Sequence, residues 1–178
     1  MKKLTLLRHA KSSWDDSVQR DFDRPLNGKG RKAGHAIGAF MAERGLSFDR
    51  VVASPATRVM ETIAAVEGGL GAGLAPEFDK RAYLAAPDTL LDIIHEQPDA
   101  AESILLIGHN PGLEELVLLL VDGGGSMRDA VAAKYPTAAL AEIAFDVAGW
   151  SDVAEGTGKL LTFTRPRDLD PALGPEDD

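Results

Sequence analysis

Arginine and histidine residues follow three apolar segments of this chain, and each segment is typical of a buried strand. Arg8 and His9 come directly after the first segment. His109 comes just after the last one, and Arg58 lies about one helical turn beyond the second. Because ligand sites of open α/β sheets lie beyond the carboxyl ends of the strands, we expect these four side chains to meet at one sheet edge.

These residue types suit a phosphate group better than a metal ion. Guanidinium groups bind phosphate oxygens in a bidentate manner, whereas two histidines without a carboxylate or thiol cluster make a poor metal site. Helices that begin after Ser54 and Asn110 would add backbone N–H donors. A neutral imidazole is also a nucleophile toward phosphorus when its other ring nitrogen is held as a donor, and we assign that role to His9. The residues therefore predict phosphoryl chemistry without a metal or other cofactor.

The remaining pattern predicts a three-layer α/β/α domain with a mostly parallel central sheet. Continuous apolar runs favour strands that are covered on both faces. A weaker strand is expected near residues 74–78, and residues 138–147 and 159–164 are expected to pair as an antiparallel hairpin at the sheet edge. The predicted parallel strands are 4–7, 50–53 and 103–107, and the predicted helices span 33–41, begin at Ser54 and Pro87, and span 113–121.

Length and composition indicate one domain, residues 1–165, followed by an acidic tail, residues 166–178. The chain has 178 residues, of which 44% are hydrophobic, and we find no linker or internal repeat. From Pro166 onward it is rich in proline and aspartate, so we expect this tail to be flexible. The sequence leaves the oligomeric state open.

Charge and cysteine content exclude several classes of partner. The net charge of -9, from 28 acidic and 19 basic side chains, argues against binding to nucleic acid or to an anionic membrane. The lack of cysteine excludes disulfides, thiolate metal sites and a cysteine nucleophile, and it is compatible with a reducing compartment. The apolar run before Arg8 is too short for a signal peptide or a membrane span. We therefore expect a cytoplasmic protein.

One further pattern points to a cofactor but fails its context test. Residues 28–33 formally fit the dinucleotide-binding motif G-x-G-x-x-A. That motif should follow a strand directly, whereas Arg24-Pro25-Leu26-Asn27 precedes it here. We therefore expect no nucleotide cofactor.

Three motifs, in this order, resemble the signatures of the histidine phosphatase superfamily. They are Leu6 to Ala10, with Ala10 in place of the usual glycine, Ser54 to Thr62, and Gly108 to Pro111. More narrowly, RHAKSSW, DRPL and GHNPGLEEL are similar to sequences of the small phosphohistidine phosphatases of the SixA type, which lack the large inserted cap of the mutases. The likeness extends over about residues 3 to 121, and the ordered set is far more specific than any one motif.

The resemblance implies a phosphoglycerate mutase-like fold and phosphohistidine on a protein as the substrate, which would place the chain in signal transduction. It implies that His9 becomes transiently phosphorylated and that His109 completes the pocket. Arg8 and Arg58 would bind the phosphoryl oxygens. Further candidates for substrate contact are Arg24, which matches an arginine of the pocket in SixA-type members, together with Ser12 and Asn110.

The sequence departs from the family at the proton donor. Cap-bearing relatives carry a glutamate general acid where this chain has Lys80. Asp79, Glu77 or Asp16 could replace it from a nearby position, and nothing in the sequence selects among them. Alternatively, the substrate needs no strong acid, because the imidazole of a phosphohistidine leaves more readily than an alkoxide. The missing acid therefore favours a phosphoramidate substrate over an alkyl phosphate ester.

Two alternative functions remain open. One is a small-molecule phosphomonoesterase of the same superfamily, which the missing cap and acid disfavour. The other is a non-catalytic module that binds phosphate or a phosphoprotein, which the intact set of arginines and histidines disfavours. Loops around Trp14 and Tyr83 would set specificity, and we expect Trp14 to be a hydrophobic plug.

Overall fold

The computed structural model describes residues 1–14 and 20–174, and in those ranges the chain forms six strands and six α-helices. A membrane-spanning helix needs at least about 18 apolar residues, and none of the helices in these ranges meets that requirement. The strands are β1 (Lys2–Arg8), β2 (Arg50–Ala53), β3 (Glu77–Phe78), β4 (Ser103–Gly108), β5 (Leu140–Phe145) and β6 (Gly158–Thr164). The helices are α1 (Gly28–Glu43), α2 (Thr57–Leu70), α3 (Pro87–His95), α4 (Gly112–Leu120), α5 (Ser126–Ala133) and α6 (Pro166–Leu169).

All six strands belong to one sheet, in the order β3-β2-β4-β1-β5-β6. The first four strands of that order are parallel. The strand β5 is antiparallel to β1, and β6 is antiparallel to β5. The predicted mostly parallel sheet with an antiparallel edge hairpin is confirmed.

The side chains of β1 enter two separate hydrophobic cores. Leu4 and Leu6 pack against residues of α3 and α4, whereas Leu7 packs among residues of α1 and α2. Each core covers one face of the sheet, because successive side chains of a strand point to opposite faces. Burial of both faces explains why the central strands are continuous apolar runs, and it confirms the predicted three-layer sandwich.

The strand register brings the ends of β1, β2 and β4 side by side. Arg8 pairs with Gly108, and Ala53 pairs with Ile107. The backbone N–H of His9 also donates a hydrogen bond to the carbonyl oxygen of Gly108 at 3.0 Å. The residues that follow these three strands therefore emerge together at one edge.

Helix α1 packs closely against the loop that follows β1. A Cβ atom at Gly30 would lie only 2.1 Å from the carbonyl oxygen of Lys11, so this contact requires glycine. The side chain of Asn27 caps α1 by accepting a hydrogen bond from the Gly30 N–H at 2.8 Å. The glycine pattern that resembles a dinucleotide motif thus contains a residue that serves helix packing.

Helix α5 was not predicted, and β3 is shorter than expected. Val131 is the buried residue of α5, so this helix lacks the repeated apolar positions that reveal a helix in a sequence. The strand β3 consists of two exposed residues, both of which lie inside the predicted segment 74–78.

The described part of the segment expected to be a flexible tail, residues 166–174, contains two short helical elements. Arg165 and Asp168 form a capping box at the start of α6, and residues 171–173 form a 3-10 turn. Leu169 packs against the core formed with α1 and α2. Composition does not reveal this turn of helix, because it carries no information on the reciprocal hydrogen bonds of a capping box.

Candidate active site

A cavity of about 620 Å³ opens at the edge where β1, β2 and β4 end. The structure brings together there the four residues predicted to carry the chemistry and the three further candidates for substrate contact. They are Arg8, His9, Arg58, His109, Ser12, Arg24 and Asn110. The described lining contains eight lysine and arginine residues and a single carboxylate, that of Asp21. In a protein with a net charge of -9, this concentration of positive charge favours an anionic ligand.

The His9 imidazole is buried, and one hydrogen bond fixes which ring nitrogen is protonated. Its Nδ1 lies 2.7 Å from the carbonyl oxygen of Ala10. A carbonyl oxygen can only accept, so Nδ1 carries the proton and Nε2 of the neutral ring keeps its lone pair. Burial, reinforced by the positive charge of Arg8, lowers the pKa of His9 to about 3 despite the opposing effect of the Ala10 hydrogen bond. At neutral pH the ring is therefore uncharged, as a nucleophile must be.

Arg58 is only 2% exposed, and its guanidinium group contacts His109. Its Nη2 lies 3.3 Å from Nδ1 of His109, which must accept because a guanidinium can only donate. Nε2 of His109 then donates to the Oγ atom of Ser54 at 2.7 Å. Burial, and next the charge of Arg58, lower the pKa of His109 to about 4. The two imidazoles, whose ring centroids are 5.3 Å apart, are thus both neutral beside a fixed cation.

Comparison with known proteins identifies the family. A protein of Mycobacterium tuberculosis is 32% identical over 165 residues, which cover 90% of this chain and 100% of that protein. The family model of the histidine phosphatase superfamily (branch 1) matches residues 4–84. The SixA structure from Nakamurella multipartitia has a TM-score of 0.79 and 27% identity, and the match covers 93% of this chain and 96% of that one. The chain belongs to the histidine phosphatase superfamily.

The SixA-like branch of this superfamily is confirmed as well. The SixA structure from Agrobacterium tumefaciens has a TM-score of 0.76 and 29% identity, and the match covers 93% of this chain and 98% of that one. A SixA structure complexed with tungstate shares the fold, with a TM-score of 0.71 and 21% identity, over 94% of this chain and 99% of that one. These matches confirm the phosphoglycerate mutase-like fold and support phosphatase activity, which is a hydrolase reaction.

In this histidine phosphatase, Thr62 holds the backbone that follows His9. The sequence analysis did not identify Thr62 as a functional residue. The N–H of Ala10 donates to Oγ1 of Thr62 at 2.9 Å, and that hydroxyl donates to the carbonyl oxygen of Arg58 at 2.7 Å. Thr62 thereby holds the backbone of Ala10, the residue whose carbonyl oxygen orients His9. Its position one helical turn after Arg58 in α2 was the available signal, because residues four apart share a helix face.

The three further candidates line the cavity, and their polar groups also have partners within the protein. The hydroxyl of Ser12 donates to the carbonyl oxygen of Pro25 at 2.7 Å. The side-chain amide of Asn110 donates to the carbonyl oxygen of Tyr135 at 2.9 Å. Arg24 donates from Nε to the carboxylate of Asp21 at 3.1 Å. Of the three, Arg24 is the one with a charge that suits phosphate.

Trp14 lies on the surface, and the expectation of a hydrophobic plug is wrong. The residue is 64% exposed. The guanidinium carbon of Arg24 lies 4.5 Å from its ring centroid, so the indole packs as a cation–π partner of Arg24. Trp14 is thereby placed beside a residue of the cavity.

Glu77 and Asp79 lie outside the cavity lining, so the structure does not support either as the general acid. The carboxylate of Glu77 pairs with Arg50 at 2.5 Å. Asp79 caps the 3-10 turn at residues 80–82, and its hydrogen bonds with Arg81 hold its pKa below the usual value. Asp16, the remaining candidate, lies outside the described residues.

The carboxylate that does line the cavity, that of Asp21, was missed by sequence reasoning. Hydrogen bonds from Tyr83 and Arg58 lower its pKa, and these outweigh the opposing effect of partial burial. Asp21 is thus ionised at neutral pH and is a poor proton donor. In the described ranges, no group of three or more histidine and acidic side chains is placed to hold a metal ion.

The two buried histidines predict a stability that falls in acid. Their pKa values of about 3 and about 4 lie below the value of 6.5 of an exposed imidazole. Between pH 4 and 6.5 the unfolded chain therefore binds more protons at these sites than the folded protein does. The free energy of unfolding should decrease as the pH falls through this window, by up to about 1.4 kcal/mol per pH unit for each histidine.

Urea unfolding between pH 4.5 and 7.5 would measure this dependence. His9→Gln should make the slope of the unfolding free energy against pH shallower, whereas replacing the exposed His35 by glutamine should leave it unchanged. Equal slopes in all three proteins would show that His9 is not buried in its neutral form.

Proposed function

We propose that this protein hydrolyses phosphohistidine on proteins, by a metal-independent reaction that passes through phospho-His9. The observation that carries the proposal is the hydrogen bond from Nδ1 of His9 to the Ala10 carbonyl, which leaves the lone pair on Nε2. The lowered pKa keeps that lone pair available at neutral pH. The neighbouring Arg58 supplies a fixed positive charge for the phosphoryl oxygens.

The reaction would consist of two transfers of the same phosphoryl group. Nε2 of His9 attacks phosphorus as the bond from phosphorus to the substrate imidazole breaks. The substrate ring is protonated on its other nitrogen, so it leaves with the bonding pair as neutral imidazole. Water then attacks phospho-His9, which releases inorganic phosphate and restores the neutral imidazole, while one proton passes to solvent. Arg8, Arg58 and Arg24 would stabilise the charge on the equatorial oxygens in both steps.

The state of Asp21 supports a phosphoramidate as the substrate. An alkoxide leaving group needs a proton donor, and the carboxylate in the described cavity lining is kept ionised by Tyr83 and Arg58. An imidazole is a far better leaving group and does not need a strong acid. The SixA structures that this fold resembles are named for phosphohistidine phosphatases, which agrees with this choice.

A protein substrate of this kind would place the enzyme in signal transduction, and we propose a cytoplasmic location. The lack of cysteine in the chain is compatible with a reducing compartment.

The test compares phosphate release from a phosphohistidine-bearing protein with release from a simple alkyl phosphate ester, in the presence of a chelator. We expect rapid release from the phosphohistidine, very slow release from the ester, and no release from either by His9→Ala. Faster cleavage of the ester would point to a small-molecule phosphomonoesterase. Binding of phosphate without turnover of either substrate would identify a non-catalytic module.

A further inference from the structure

The carboxylate of Asp21 accepts hydrogen bonds from two of the guanidinium groups that would bind the phosphoryl group in the proposed reaction. Its Oδ2 accepts a hydrogen bond from Nη2 of Arg58 at 3.0 Å, and its Oδ1 accepts one from Nε of Arg24 at 3.1 Å. A carboxylate presents two anionic oxygens to a guanidinium much as a phosphoryl group does. Asp21 therefore takes up donors that a bound phosphoryl group would also need.

Two further contacts hold Asp21 at this place. Its backbone carbonyl oxygen accepts a hydrogen bond from Nη1 of Arg58 at 2.8 Å, and its Oδ2 accepts one from the hydroxyl of Tyr83 at 2.5 Å. The side chain is 32% exposed and lines the cavity. A phosphoryl group that enters the cavity would therefore meet a negative charge that cannot easily move away.

We propose that Asp21 is a built-in counter-anion that competes with the phosphoryl group for Arg58 and Arg24 and so promotes the release of inorganic phosphate. The inference rests on the proposed phosphatase reaction, whose last product is inorganic phosphate. Like charges in a partly buried site repel each other strongly, because little water is present to screen them. Without an opposing charge, two arginines beside a neutral nucleophile would retain the product.

A purely positioning role for Asp21 predicts the opposite result. If the carboxylate served mainly to orient Arg58, its removal would weaken the binding of phosphate. Asp21→Asn distinguishes the two roles, because the amide keeps the shape of the side chain and one acceptor oxygen but carries no charge. The hydrogen bond that Nη1 of Arg58 donates to the backbone carbonyl oxygen of Asp21 remains in this variant.

The test measures the affinity of inorganic phosphate by calorimetry for the wild-type protein and for two variants. Asp23→Asn is the matched control, because Asp23 lies in the same 3-10 turn and its carboxylate pairs with the exposed Arg20. We expect phosphate to bind about tenfold more tightly to Asp21→Asn, from the loss of one like charge at close range. Asp23→Asn should bind phosphate as the wild type does.

An unchanged or weaker affinity in Asp21→Asn, with a wild-type melting temperature, would overturn the proposal. An equal gain in Asp23→Asn would also overturn it, because net charge alone would then explain the effect. Asp21→Ser removes the same charge and provides the measurement if the asparagine variant does not fold.

Failure of the proposed function has a different signature. In that case phosphohistidine turnover would be absent from the wild-type protein, whatever its affinity for phosphate. If the wild-type protein turns over phosphohistidine but Asp21→Asn binds phosphate no more tightly than the wild type does, only the proposed role of Asp21 is overturned.

Discussion

Replacement of His9 by alanine is expected to lower the turnover of phosphohistidine by about 10⁴-fold or more, because it removes the nucleophile of the proposed reaction. The covalent intermediate needs a bond between phosphorus and Nε2 of His9, and alanine has no atom that can form it. The surrounding cations would still bind the substrate, so the loss should appear in kcat rather than in KM. Steady-state phosphate release gives the rate, and the mass of protein quenched at alkaline pH, where the phosphorus–nitrogen bond is stable, shows whether a phosphoenzyme forms.

A second histidine provides the control for this experiment. His35 lies on the exposed side of α1, outside the cavity that holds His9. His35→Ala should retain wild-type turnover and form the phosphoenzyme. Circular dichroism would verify that His9→Ala is folded. Substantial turnover by a folded His9→Ala would remove His9 from the reaction and leave the fold assignment untouched.

The residues predicted correctly to meet in the cavity are those whose position depends on local pattern. Arg8 and His9 end an apolar run that reads clearly as a buried strand, and so does His109 after β4. In a parallel sheet the carboxyl ends of neighbouring strands share one edge, so linear order was enough to bring these side chains together. Arg58 reaches the same edge because α2, which contains it in the first turn, begins shortly after the end of β2.

The residues that sequence reasoning missed or misplaced depend on contacts between distant segments. Asp21 lies 37 residues before Arg58, and it meets that residue through a 3-10 turn that no periodic pattern marks. Glu77 was a reasonable acid candidate by proximity in sequence, but its side chain pairs with Arg50. A carboxylate's protonation also depends on its neighbours in space, which the sequence alone does not reveal.

Replacement of Arg58 is expected to have the second largest effect, because it removes a preorganised charge from a nearly water-free position. Arg58→Ala should slow phosphoryl transfer by about 10²- to 10³-fold, which is the usual cost of losing one such donor to a charge-developing transition state. Arg58→Lys should recover only part of the rate, since an ammonium group supplies the charge but lacks the planar fork that reaches Asp21 and His109 together.

The contrast between alanine and lysine at this position separates charge from geometry. Single-turnover rates with phosphohistidine protein measure the transfer step, and Arg50→Lys is the matched control because Arg50 lies at the opposite end of β2 and pairs with Glu77. Equal rates for Arg58→Lys and the wild-type protein would mean that charge alone is needed. An unchanged rate in Arg58→Ala would show that Arg58 does not bind the phosphoryl group. Asp21 could then not compete with that group for Arg58.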